Sequence, residues 1–111
     1  MSAAPKTPHP YSGIKLFTVT AVDGRKVSLH EDWYHVHILA RHHEVGWLSD
    51  PLESIKHALI RAVEVRIDPR SKRPLYVGPF FTGFGGESCL HIPVDPKGNR
   101  GVVMTVMRVF R

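Results

Sequence analysis

Four of the chain's eight histidines, His35, His37, His42 and His43, fall within residues 31–44, and Arg41 stands among them. Imidazole titrates near neutrality, so two histidines can act as general base and general acid in one reaction. A guanidinium presents forked donors that match the oxygens of a phosphate. Together these groups suit attack of an RNA 2′-hydroxyl on the adjacent phosphate. One imidazole takes the hydroxyl proton, another protonates the leaving oxygen, and arginine steadies the charge that develops on the phosphorane. His37, Arg41 and His42 are the expected catalytic groups of this stretch, and Tyr76 joins them. Arg66, Lys72, Arg73, His91 and Arg108 are expected to hold the substrate, provided that their strands present them to one side.

Other chemistries fit less well. A zinc pair on a helix needs two histidines four residues apart, and no pair in this stretch has that spacing. Cys89 is the single cysteine, which excludes an internal disulfide and a cysteine cage for a metal. Neither a metal nor a cofactor is therefore expected. The glycine-rich stretch 82–88 lacks the lysine and the following helix of a phosphate loop, and reads as a strand connection. Cys89 and His91 would share a strand face, but a small buried cysteine is the simpler reading.

These residues need elements to position them. Residues 31–44 contain neither Gly nor Pro, and Gly46 follows as a stop, so a helix is expected there. At 3.6 residues per turn, Trp33, Val36 and Ala40 fall on one side and Tyr34 and Ile38 across from them, with His37 and Arg41 stacked between. Before it, residues 15–30 alternate around Asp23-Gly24, a strong hairpin signal. After it, Asp50-Pro51 opens a second helix with an apolar stripe of Leu52, Ile55, Leu59, Ala62 and Val63. Strands are expected at 63–68, 75–77, 89–94 and 102–110, the last being the most apolar and therefore central. Residues 95–99 read as a turn. The expectation is an α+β fold: an N-terminal hairpin, two helices, then a roughly four-stranded antiparallel sheet. Residues 1–13, with Pro5, Pro8 and Pro10, read as a flexible arm, and residues 14–111 as one domain.

Composition sets the partners. The chain has 111 residues, 42% hydrophobic and 23% charged, which fits a soluble globular domain. No apolar run approaches the roughly 20 residues of a membrane span, so no membrane partner is expected. The first residues do not read as a secretory signal, and with one cysteine a reducing cytoplasmic location is expected. A net charge of +5 favours an anionic partner such as RNA.

A helix carrying Trp33, His37-Ile38 and Arg41-His42-x-Glu44, a second helix over 52–62, then basic strands with Tyr76 and an apolar strand at 102–110, resembles the phage-type members of the barnase–EndoU–colicin–RelE-like nuclease superfamily. The resemblance covers about residues 16–110 in element order. It implies two helices packed on a four-stranded antiparallel sheet and a metal-independent ribonuclease of the toxin or phage-effector kind. It further implies that His42 and Arg41 lie at the cleft with Tyr76 facing them, and an antitoxin or immunity protein as a further candidate partner. The chain departs from the pattern at His43, where related chains tend to have proline, and in the last strand, where Thr105 is the only hydroxyl. A non-catalytic module of the same fold that binds nucleic acid or an acidic partner is the alternative.

Overall fold

The alternating residues around Asp23-Gly24 form the expected hairpin. Strands β1 (Lys15–Thr20) and β2 (Lys26–His30) pair antiparallel, and Gly24 closes the turn at φ +88°, a conformation that favours glycine. Phe17, Val27 and Leu29 point inward. The computed structural model describes residues 9–46, 48, 50–79 and 88–110. The glycine-rich stretch, Ser88 apart, and the first eight residues lie outside the described residues.

The helical region departs from expectation. It begins as α1 (Glu31–Trp33), continues as a π-helical stretch (Tyr34–Leu39), breaks at His42 and resumes as α2 (His43–Gly46). A π-helix closes i→i+5 hydrogen bonds and turns less per residue than an α-helix, which brings residues five apart closer to one face. Trp33 and Ile38 accordingly face inward together, as do Tyr34 and the half-buried Leu39. Val36 and Ala40, placed with Trp33 by a 3.6-residue wheel, are exposed. Helix α3 (Pro51–Ile60) starts as its sequence predicts: Asp50 Oδ1 accepts the Glu53 amide at 3.2 Å, with Pro51 at the first position. It buries Ile55, Ala58 and Leu59. Val63 lies beyond its end and is exposed, so it does not extend the stripe.

Five further strands follow: β3 (Glu64–Ile67), β4 (Pro74–Gly78), β5 (Ser88–Lys97), β6 (Arg100–Val103) and β7 (Met107–Phe110). The sheet has seven strands rather than about four, in the order β1-β2-β6-β5-β4-β3, with β7 pairing β5. The hairpin is part of it, joined by a parallel pairing of β2 with β6. All other pairings are antiparallel. The stretch 102–110 is not one central strand. It is split between β6 and β7, both against β5, and β5 takes the central place. The turn expected at 95–99 shrinks to Gly98-Asn99, because β5 runs on through Lys97. One of the two prolines in β5 fits locally. Pro93 turns its carbonyl to the Met104 amide at 2.9 Å, so its missing N–H faces the break between β6 and β7, where the ladder is interrupted anyway.

Strand parity then gives the sheet two different faces. Tyr76, Leu90, Ile92, Val94, Val103 and Val106 lie under the helices in the core. At Gly78 a Cβ would stand 2.2 Å from the Ala58 carbonyl oxygen, so glycine is what lets α3 lie on β4. Glu64, Val77, His91 and Met107 share one register row on the opposite face, and Thr18, Ser28, Val102 and Asp95 share another. The end of the expected arm is docked on this open face. The Tyr11 hydroxyl donates to Asp95 Oδ2 at 3.1 Å, and the Gly13 carbonyl lies 3.0 Å from His30 Nδ1. No helix among the described residues is long and apolar enough to cross a membrane.

Candidate functional site

Trp33 fixes the histidine stretch to the sheet. Its indole N–H donates to the Met104 carbonyl at 2.7 Å, in the break between β6 and β7, while its ring is buried. A strand break leaves carbonyls without ladder partners, and one of them serves here as the anchor. The hydroxyl of neighbouring Thr105 is buried without a hydrogen-bond partner. His37 covers Trp33: its ring stacks on the indole at 4.0 Å between centroids and 11° between planes.

His37, Arg41 and His42 come together. Partial burial, then the charges of Arg41 and His42, hold the His37 imidazole below its ordinary range. His42 lies three residues beyond the π-helical stretch, yet both it and Arg41 stand close enough to His37 for their charges to act on it. His42 is half-buried, and its amide donates to the Ile38 carbonyl at 2.8 Å. Arg41 is exposed. This group therefore has a largely neutral imidazole beside a second imidazole and a guanidinium, a set that can move a proton and hold an oxyanion. His35 points elsewhere, edge-on to Tyr34 at 5.2 Å.

The sheet residues do not gather at that place. Arg108 of β7 is in register with buried Leu90, on the helical face, and α2 packs against β7. Arg108 is thus the sheet cation on the histidine side. Arg66, Arg73 and His91 lie on the opposite, open face. Arg66 is exposed and pairs with Glu64 two residues back. Arg73 reaches Asp95 at 3.5 Å. His91 is half-buried and held below its ordinary range by burial, then by Arg66, with Glu64 opposing. Lys72 sits at φ +61° in the exposed turn between β3 and β4.

Tyr76 is inside the core, fully buried, and its hydroxyl donates to Asp23 Oδ2 at 2.7 Å. Burial first, then this hydrogen bond and the carboxylate charge, raise its pKa well above that of a free phenol. Its proton is committed to the β1–β2 turn and is not offered to the histidines.

Sequence reasoning overlooked one feature of the open face. A groove of about 200 Å3 is lined by Lys15, Lys26, Lys97 and Arg100, with Thr18 and Ser28 on its floor. The polar alternation of Lys26, Ser28 and His30 was the available signal, but which strands would stand beside β2 was not. Comparison of the chain with models of protein families, with curated proteins and with solved structures finds no match.

Proposed function

We propose that the protein is a metal-independent endoribonuclease, of the kind that its first helical region resembles, with His37, His42 and Arg41 at its centre. The observation that carries this reading is the grouping of His37 with His42 and Arg41, in surroundings that favour the neutral form of His37. Neutral His37 takes the proton of the 2′-hydroxyl. The 2′-oxygen then bonds to phosphorus, the bond to the 5′-oxygen breaks, and protonated His42 supplies the proton to that leaving oxygen. Arg41, with Arg108 from β7, faces the non-bridging oxygens. The products are a 2′,3′-cyclic phosphate and a free 5′-hydroxyl. Tyr76 takes no part in this scheme and acts through the fold.

The test is incubation of the purified protein with total RNA in EDTA, beside His42→Ala and Arg41→Ala. Cleavage by the wild type that leaves cyclic-phosphate ends, and that both substitutions abolish, is the expected result. Equal cleavage by the variants would overturn the assignment. Salt-sensitive retention of RNA without cleavage would instead mark a non-catalytic binding module, the reading that the exposed cations Arg66 and Lys72 favour.

A further inference from the structure

The open-face groove owes its charge to strand register. Lys26 of β2 is the partner of Arg100 in β6, and Arg100 is the partner of Lys97 in β5. Three cations therefore stand in one row across three adjacent strands. Like charges directly opposite one another destabilise a sheet. Lys15 adds a fourth cation to the lining. Among the described residues, none of the four has an ion-pair partner. The carboxylate of Asp95, in register with Val102 of the groove, is already held by the Tyr11 hydroxyl and by Arg73. Hydroxyls form the floor, where Thr18 Oγ1 and Ser28 Oγ lie 2.8 Å apart. One wall is the ring of Tyr11, edge-on to His30 at 5.9 Å, with Lys97 Nζ 5.8 Å from its centre.

We infer that this groove binds the phosphates of a polyanionic ligand, at a site separate from the histidine group and independent of RNA cleavage. The row of cations supplies the counter-charge, the hydroxyls can donate to phosphate oxygens, and Tyr11 offers an aromatic surface beside them. At about 200 Å3 the groove is smaller than the roughly 300–1,000 Å3 pockets that enclose whole organic ligands. It holds a phosphate-sized part of the ligand while the remainder extends along the sheet. Successive phosphates occur in a single nucleic-acid strand and in a linear polyphosphate, and the groove's chemistry is common to both.

A short fluorescent DNA strand is the first probe. It lacks the 2′-hydroxyl, so binding is read apart from cleavage. Wild-type protein binds it with an affinity that falls as salt rises. The double variant Lys26→Glu/Arg100→Glu weakens binding by about tenfold or more, with an unchanged circular dichroism spectrum. The double variant Arg61→Glu/Arg70→Glu changes net charge equally at exposed positions outside the groove, and weakens binding far less. Competition by inorganic tripolyphosphate identifies a linear polyphosphate as sufficient; binding of the strand without such competition identifies the nucleic-acid backbone. Failure of both probes to bind overturns the inference. So does an equal loss in the two double variants, which would reduce the effect to net charge.

Discussion

His37 sits where burial, Arg41 and His42 all oppose its protonation. Removing one of these influences has a defined sign. Arg41→Gln deletes a neighbouring positive charge, so the His37 imidazole titrates at higher pH than in the wild type, nearer about 6.5. Proton NMR of the imidazole ring measures this without reference to activity. In the cleavage assay the acidic limb of the pH–rate profile moves the same way, while the maximum rate falls. Tyr76 calls for a different measurement. Tyr76→Phe deletes the hydrogen bond to Asp23, whose exposed carboxylate can turn to water, so the expected loss is about 1 kcal/mol in urea unfolding. His37, Arg41 and His42 could be singled out from the sequence because they are close along the chain under any helical winding. The place of Tyr76 could not, since it depends on strand parity and on an aspartate 53 residues earlier.

Among the elements, the π-helical stretch makes the sharpest claim. The inward pairs Trp33/Ile38 and Tyr34/Leu39 are each five residues apart, with exposed Val36 between them. Deleting Val36 leaves each pair four apart, which an α-helix accommodates, so the fold survives. His37, four residues after Trp33, then stands three after it, so its ring loses its stacked place on the indole. RNA cleavage should fall by about 100-fold or more while circular dichroism stays helical. A cleavage rate unchanged by the deletion would remove the stacking of His37 on Trp33 from the mechanism. The contact of α3 with β4 is equally specific. Gly78→Ala drives a methyl group into the Ala58 backbone and is expected to lower stability by about 3 kcal/mol, read from the urea midpoint. The hairpin and the start of α3 were legible because Asp23-Gly24 and Asp50-Pro51 act locally. The π winding was not, because the same residues satisfy an α-wheel on paper. Nor was the break at 104–106, where an unbroken apolar run hides the change of parity.

Taken whole, the molecule places the histidine group and the basic groove on opposite faces of one sheet. Charge and composition announced a basic domain, but only the topology assigns each cation to a face. The parallel pairing of β2 with β6 creates the row Lys26, Arg100 and Lys97, and no local pattern encodes it. The two faces share one response to acid. His37 and His91 are both held below their ordinary range, so the fold favours their neutral forms. As pH falls, the unfolded chain takes up these protons first. The contribution to stability is full above about pH 6.5 and is lost as pH drops through the folded values. Urea midpoints at about pH 7.5 and about pH 5 should show the lower stability in acid, and His37→Gln with His91→Gln should flatten the difference.

The Trp33 anchor has a bearing on how the chain is made. The indole is held by the carbonyl of Met104, 71 residues later. During synthesis the histidine stretch leaves the ribosome long before β6 and β7 exist. Until they do, Trp33 has no acceptor there, Arg108 is missing, and the hairpin has no strand to join. Contacts this distant in sequence close late. A nascent chain surrounded by ribosomal and messenger RNA would thus carry His37 and His42 on an unanchored stretch, and the timing of translation would hold the proposed activity back until β6 and β7 had been added.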